Sequence, residues 1–478
     1  MKTRNVDVAI IGAGSAGMNA RREVEKAGFE PLMIESGHYG TTCARVGCMP
    51  SKLLIAASDI AHEIKSAPLF GIESGDGVKI NGTAVLERVR RERDRFVSFV
   101  VEDIEALPYQ QRLLGSARFT GPTSLMVGEH TELKANSIVI ATGSSPVIPP
   151  PFNTLQEHVL VNDDIFELED IPKSIAVIGT GIIGLELGQA LNRLGADVTL
   201  FNPGNSVGPL SDPEVEKVAR EILQAELSIQ LGVKVISATA VNGGVKIDWL
   251  DQQGKRQQVV FEKVLIAAGR KPNLSSLDLN KAGVNVNDRG QPEWDPRTAQ
   301  VVNSAIFMAG DVTNHNPLLH EAADEGRIAG MNSAQYPNVN AHVRRTPLSI
   351  AFTDPQIAMV GTHYKYLDLQ SVEIGEVSFS NQGRSRVMGK NQGLLRVYAT
   401  RQCCTILGAE VVGPRAEHLA HLLAVMVQER MSVHRALQLP FYHPVIEEGL
   451  RTALRDLANQ LKITGDCRNQ DFAMMPGN

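Results

Sequence analysis

The chain has 478 residues, too many for one ordinary domain, so two to four domains with ample core in each are expected. Its hydrophobic content of 43%, charged content of 21% and formal net charge of −6 describe an ordinary globular protein, with no electrostatic reason to expect nucleic acid or an anionic membrane as partner. No stretch reaches the ~18 consecutive apolar residues of a membrane span, and five cysteines are too few for a secreted disulfide scaffold, so a reducing cytoplasm is the expected setting.

The N-terminal Met1-Lys2-Thr3-Arg4 is followed, past Asp7, by the apolar run Val8-Ala9-Ile10-Ile11. That run passes directly into a glycine-rich turn, so it reads as the first strand of a fold and not as a signal peptide. The turn is Gly12-Ala13-Gly14-Ser15-Ala16-Gly17, with a helix expected to about Ala27 and a strand Leu32-Met33-Ile34 ending in Glu35. Glycine lets such a turn tighten and lets the backbone approach a pyrophosphate, while the helix start offers free N–H groups and a positive dipole end. Glu35 can accept hydrogen bonds from both hydroxyls of an adenosine ribose.

Cys43 and Cys48 come next, in the string TTCARVGCMPSK. A structural zinc needs four ligands, and no second Cys or His pair stands nearby at ligand spacing. In a regular helix the two Cα atoms would rise about 7.5 Å apart, beyond the roughly 4.4–6.8 Å of a disulfide. A reversible disulfide therefore requires a local bend, for which Gly47 is the place. This suits a redox dithiol; two unrelated core cysteines is the alternative. Farther on, Arg88, Arg90, Arg91, Arg93 and Arg95 interleave with Glu87, Glu92 and Asp94, the pattern of a solvated helix face.

The first unit then recurs. SIAVI at 174–178 leads into Gly179-Thr180-Gly181-Ile182-Ile183-Gly184, a helix to about Leu194, and a strand ending in Asn202. The same 23-residue interval separates Gly12 from Glu35 and Gly179 from Asn202. A lone GxGxxG is weak evidence, but two copies, each between a strand and a helix, point to two dinucleotide sites. Ser137 to Gly143 is likewise matched by Val264 to Gly269, each with a proline three residues beyond, Pro146 and Pro272. Ile306 to Asp311 is a third such strand without a duplicate, expected to return the chain to the first unit. Asn202 carries no charge and no arginine follows it to pair with a 2′-phosphate, which favours NADH over NADPH. Cys403 and Cys404 are adjacent, and strand neighbours point to opposite faces, so they read as incidental thiols. Leu419, Leu422, Leu423, Val425 and Met426 suit either helix core or a dimer contact; periodicity does not choose.

These motifs in this order resemble the pyridine nucleotide–disulfide oxidoreductases, which include dihydrolipoamide dehydrogenase, glutathione reductase and mercuric reductase. The likeness covers essentially the whole chain, including Ala141-Thr142-Gly143, Ala309-Gly310-Asp311-Val312, Phe352-Thr353-Asp354-Pro355 and His443-Pro444. It implies an α/β fold, glutathione reductase-like, with two Rossmann-like FAD- and NAD(P)-binding domains and an α+β C-terminal dimerisation domain. The expected divisions are 1–147 and 271–345 for FAD, 148–270 for NAD(P), 346–463 for dimerisation and 464–478 as a tail. FAD would be held by Gly12, Gly14, Gly17, Glu35, Thr42, Thr142, Gly143, Gly310 and Asp311. The nicotinamide nucleotide, NAD by preference, would be held by Gly179, Gly181, Gly184, Asn202 and Gly269.

The resemblance also assigns roles. Cys48 matches the flavin-facing thiol that forms a charge-transfer pair with oxidised FAD, and Cys43 the outer thiol that exchanges with substrate. Lys52 matches a lysine close to the flavin ring and Glu186 a glutamate beside flavin and nicotinamide, from which a Lys–Glu pair is expected. His443 would be the general base, oriented by Glu448 and reaching the cysteines of the opposite subunit of a homodimer. The expected reaction is that of a dihydrolipoyl dehydrogenase, on a small dithiol or on the lipoyl domain of a partner. The alternatives are an NAD(P)H-dependent reductase of another small disulfide and a flavoprotein with a redox-sensing or binding role.

Some features pull apart. The interval of 8 residues from Glu35 to Cys43 is closer to glutathione and mercuric reductases. Phe379 to Tyr398, with Asn381, Gly383, Arg384, Gly389, Lys390 and Leu394, looks more like the dihydrolipoamide dehydrogenases. Mercuric reductases carry a C-terminal cysteine pair, where this tail has only Cys467. No lipoyl-domain sequence precedes the first strand, so a lipoyl group is expected from a partner or as free substrate.

Overall fold

A computed structural model describes residues 2–73, 75 and 77–461. The expected tail 464–478, with Cys467, lies outside the described residues. The first lobe begins with β1 (Lys2–Ile11), α1 (Ser15–Lys26) and β2 (Pro31–Glu35), then α2 (Thr42–Val46), α3 (Cys48–Ser66) and α4 (Gly82–Glu105). It continues through β3 (Arg112–Leu114), β4 (Ala117–Gly121), β5 (Ser124–Val127), β6 (Thr131–Ile140) and β7 (Ser144–Pro146). Strands β3, β2, β1 and β6 lie side by side and parallel. Val8 to Ile11 and Ile138 to Ile140 are buried, as expected of parallel strands covered on both faces. One edge of β6 is shared: Thr131 to Lys134 pair antiparallel with β5, and Ile138 to Ile140 take a strand from far downstream.

The second lobe comprises β8 (Val159–Leu160), α5 (Asn162–Ile165), β9 (Ser174–Ile178), α6 (Ile182–Arg193), β10 (Asp197–Asn202), α7 (Pro213–Glu226) and β11 (Ser228–Leu231). An antiparallel trio, β12 (Lys234–Val241), β13 (Gly244–Leu250) and β14 (Arg256–Phe261), precedes β15 (Lys263–Ile266) and β16 (Arg270–Pro272). Its parallel sheet runs β11-β10-β9-β15-β8. The segments that follow the two matched strands pair with each other: β7 and β16 form an antiparallel ribbon with Pro146 opposite Arg270. The chain leaves the first lobe and re-enters it along this one ribbon.

After it, β17 (Ile306–Met308) joins β6 in parallel, returning the chain to the first sheet. The third strand, without a duplicate in the sequence, has a counterpart in space. In the second sheet β8 fills the corresponding place beside β15, arriving from upstream instead of downstream. Sequence periodicity hides this because β8 spans only two residues. Helix α8 (Leu319–Gln335) then crosses α1, where a Cβ on Gly326 or Gly330 would strike the backbone of Ala16 or Ala20.

The third lobe holds β18 (Leu348–Ala351), β19 (Gln356–Gly361), β20 (Val372–Ser378), α9 (Gly383–Val387), β21 (Leu394–Thr400) and β22 (Ile406–Gly413). It ends with α10 (Ala416–Gln428), α11 (Val433–Leu437) and α12 (Glu447–Gln460). Its antiparallel sheet runs β18-β19-β22-β21-β20. On α10, Leu419, Leu423 and Met426 enter the core, while Leu422 and Val425 stay 40% and 58% exposed. The apolar stripe thus divides between two faces.

Two expectations change. Cys403 and Cys404 lie in the turn between β21 and β22, not on a strand. They still part company: Cys404, at φ +54°, is buried and Cys403 is exposed. The arginines of α4 are not all solvated. Arg90 donates to the carbonyls of Phe166 and Leu168, and Arg93 pairs with Asp94 and Glu167, tying α4 to the second lobe. Among the described residues, no helix is long and apolar enough to cross a membrane.

Candidate active site

The two glycine turns match in stereochemistry as well as spacing. Gly12 has φ +111° and Gly179 φ +113°, a region L side chains avoid. A Cβ on either would strike the carbonyl just past the neighbouring strand, that of Ala141 or Ala267. A Cβ on Gly17 or Gly184 would strike the carbonyl of Gly12 or Gly179, so these two bring each helix against its own turn. The middle glycines differ. Gly14 (φ −78°, ψ −172°) and Gly181 (φ −75°, ψ −175°) have ordinary extended backbone. A Cβ there would meet nothing within 4 Å, and neither helix start carries a side-chain cap. No neighbouring atom of the protein excludes a side chain at these two positions, and the uncapped N–H groups beside them lie open, as an anion site at a helix start requires.

The other expected nucleotide residues gather at the C-terminal ends of the same parallel strands, where ligands of such sheets lie. Glu35, at the tip of β2, accepts from the Ala13 and Gly37 N–H groups, both at 2.9 Å. Asn202, at the tip of β10, donates to Thr180 Oγ1 at 2.6 Å and to the Ser206 carbonyl at 3.0 Å. Thr142 donates to the Asn273 carbonyl at 2.7 Å, and Gly143 and Gly269 both face open space. Gly310 (φ +82°) packs against Ala16 and donates to the buried Glu325 carboxylate at 2.8 Å. Asp311 accepts from Ser144 Oγ at 2.9 Å. Thr42 opens α2 beside Thr41, whose hydroxyl caps it by accepting from the Ala44 N–H at 3.1 Å.

The bend required between the cysteines is present. Helix α2 ends at Val46, α3 starts at Cys48, and Gly47 stands between them at φ −122°, ψ −112°. Both cysteines are free thiols, Cys43 half-buried and Cys48 exposed, and they lie close enough to shift each other's ionisation. The neighbouring Cys43 thiol, and then the Lys52 ammonium, bring Cys48 down to about 7 against the opposing cost of desolvation. The proximity of Cys48, together with burial, pushes Cys43 up. One thiol is held ready to ionise and the other holds the proton.

Lys52 Nζ lies 2.8 Å from Glu186 Oε2 and 4.7 Å from the centre of the Phe352 ring. Glu186, 4% exposed, uses its other oxygen to accept from the Phe352 N–H at 2.8 Å. Helix α3 of the first lobe, α6 of the second and the end of β18 in the third therefore converge beside the thiols. His443 stands apart on the third lobe. Its Nδ1 is 3.0 Å from both oxygens of Glu448, and the ring is 80% exposed. The imidazole in turn holds the Glu448 carboxyl below the usual carboxylate range. Among the described residues, no hydrogen bond joins His443 to either cysteine of its own chain.

Three residues of the site carry little signal in the sequence. Phe352 stands in the Phe-Thr-Asp-Pro motif without a role of its own, and Arg270 and Asn162 stand in none of the motifs. Arg270 donates to Ser144 Oγ and to the Ser144 carbonyl, both at 2.8 Å, and to Asn162 Oδ1 at 3.1 Å. Its one available signal is its place directly after Gly269.

Two matching glycine turns at the ends of parallel strands, a neighbouring pair of free thiols and a third, antiparallel lobe are the features of a nucleotide-linked disulfide oxidoreductase. The profile of the pyridine nucleotide-disulphide oxidoreductases matches residues 6–326, and that of their dimerisation domain residues 348–454, so the chain belongs to this family. It is an FAD-dependent oxidoreductase, and FAD and NAD are its cofactors. A dihydrolipoyl dehydrogenase of Thermus scotoductus is 32% identical over 470 residues, covering 96% of this chain and 98% of its own. The mitochondrial dihydrolipoyl dehydrogenase of Pisum sativum is 29% identical over 460 residues, covering 94% and 90%. The solved structure of the HOCl-induced flavoprotein disulfide reductase RclA from Escherichia coli shares the fold, with a TM-score of 0.80 at 22% identity over 95% of this chain and 100% of that one.

Proposed function

We propose that this protein is a dihydrolipoyl dehydrogenase, oxidising a dithiol and delivering the electrons to NAD⁺. The site would be built from Cys43, Cys48, Lys52 and Glu186 of one subunit and His443 with Glu448 of a second copy. The observation that carries this reading is the Cys43–Cys48 pair, set at a helix break beside the Lys52–Glu186 pair where the lobes meet. Curated relatives near 30% identity over almost the whole chain carry the dihydrolipoyl dehydrogenase name.

In the oxidised enzyme the two cysteines form a disulfide. A substrate thiolate attacks Cys43 Sγ, the S–S bond breaks, and Cys48 leaves as a thiolate. A low leaving-group pKa speeds that step, and Cys48 at about 7 meets the requirement. The second substrate thiol then attacks its own sulfur in the mixed disulfide, and Cys43 leaves. His443 takes the proton of the first attacking thiol, gives it to Cys43 as that sulfur leaves, and takes the proton of the second, with Glu448 orienting the ring and stabilising imidazolium; such proton transfer contributes about 10²–10⁴ in rate. FAD, which the first glycine turn would hold, would supply the two-electron carrier between the dithiol and NAD⁺, which the second turn would hold. Lys52 and Glu186 hold fixed charges beside that path.

The high exposure of His443 supports its use by a second subunit, and so a homodimer. Sparse cysteines, five in the chain, support a reducing cytoplasmic setting. A second reading, reduction of another small disulfide, is favoured by the short interval between Glu35 and Cys43. The deciding experiment is NAD⁺ reduction by free dihydrolipoamide with purified holoenzyme, with Cys43→Ser as control. Rapid turnover that the variant abolishes is expected. Absent turnover, with FAD bound and the disulfide still reducible by NADH, would overturn the lipoyl assignment and leave the second reading.

A further inference from the structure

Asn162 opens α5 in the second lobe and is 7% exposed. Its amide has three hydrogen-bonding partners. Nδ2 donates to the Val46 carbonyl at 3.0 Å and to Asp163 Oδ1 at 2.8 Å, while Oδ1 accepts from Arg270 at 3.1 Å. Arginine can only donate and a carbonyl can only accept, so the amide has one permitted orientation and both its N–H bonds are used. Val46 is the last residue of α2, directly before Gly47 and Cys48. The bond to its carbonyl thus lands on the helix break that separates the two thiols. On the other side, Arg270 grips Ser144 through two bonds, and Ser144 donates to Asp311 at 2.9 Å. A continuous chain of hydrogen bonds runs from Asp311, through Ser144, Arg270 and Asn162, to the backbone between the cysteines.

We infer that Asn162, oriented by Arg270, is a positioning residue that fixes the Val46–Gly47 break and so sets the geometry of the Cys43–Cys48 pair. This rests on the reading of that pair as the redox dithiol. Gly47 gives the break its freedom but nothing to hold one conformation. The second lobe supplies the restraint from outside the segment. Only a side chain that donates at one end and accepts at the other can bridge arginine to a carbonyl at this distance.

The test compares wild-type holoenzyme with Asn162→Leu, which loses both ends of the bridge, and Asn162→Asp, which keeps the Arg270 contact and loses the donor to Val46. Three quantities are measured: FAD per chain, dithiol–disulfide equilibrium against a glutathione buffer, and turnover. Displacing reacting groups by ~1 Å costs about 100-fold in rate, so a loss of that order is expected in both variants. The equilibrium constant should shift by about tenfold or more, a 30 mV change in a two-electron couple, while FAD content and thermal midpoint stay near wild type. An unchanged equilibrium constant and turnover in a folded variant would overturn the inference. If Asn162→Leu does not fold, the isosteric Asn162→Asp carries the comparison. Failure of the parent reading looks different: wild-type protein itself would then take up no electrons beyond those of FAD.

Discussion

At the scale of single residues, the site depends on unequal sharing of one proton. Cys48, at about 7, is mostly thiolate above that pH and mostly thiol below it. Exchange in the reverse direction, where the Cys48 thiolate attacks Cys43 Sγ to close the disulfide and release substrate, should therefore slow as pH falls through 7, because the nucleophile is lost. Lys52 is the cation among the groups that lower Cys48, so Lys52→Met should move the midpoint upward, by about one unit or more for the loss of a close opposite charge. The pH dependence of iodoacetamide alkylation of the reduced protein measures this, and an unmoved midpoint would remove Lys52 from the account. The pairing of Lys52 with Glu186 could be expected from motifs 134 residues apart, because each motif names its own residue. Phe352, which accepts nothing and titrates nowhere, gave no such signal, yet its N–H and ring touch both members of the pair.

At the scale of elements, the glycine turns show why the fold was legible. A βα turn needs positive φ at its first glycine and a bare Cα at its last, and these demands recur at fixed spacing wherever the unit recurs. The middle glycine meets no such demand from the protein itself, and on the proposed function it serves the ligand. Gly181→Ala should therefore fold with an unchanged thermal midpoint and full FAD while its KM for NAD⁺ rises. Gly179→Ala, forced into φ +113° against the Ala267 carbonyl, should lose stability as well. Equal effects of the two substitutions on stability would contradict this division of labour. What escaped was short or nonlocal. The two-residue strand β8 has no periodicity to read, and the turn holding Cys403 and Cys404 passes for strand because its flanks are strands.

At the scale of the whole molecule, the three lobes are joined by buried ions that pattern reading cannot pair. Arg193 of α6, 4% exposed, bonds Glu226 of α7, Asp59 of α3 and Asp354 of the third lobe at 2.6–3.3 Å. Asp212, fully buried at the start of α7, takes Arg396 at 2.6 Å and the Tyr398 hydroxyl at 2.9 Å from β21. Each partner looks like an ordinary surface charge in the sequence. These contacts fix the third lobe relative to the thiols, and with it the exposed His443. If that histidine serves a second copy, mixing inactive Cys43→Ser and His443→Ala proteins should restore activity. Random exchange in a two-fold dimer leaves about a quarter of sites intact. No recovery after demonstrated subunit exchange would confine the site to one chain.

The β7–β16 ribbon sets the second lobe's relation to the rest of the chain. Because Pro146 and Arg270 face each other, everything between them is topologically a single long excursion whose two ends meet. Such an insertion has one seam. A homologous segment with a different taste in nucleotide could be grafted there by two cuts, leaving the first lobe and its cysteines in their native chain. The graft must bring its own arginine and asparagine, or the seam would close over a dithiol without its outside support.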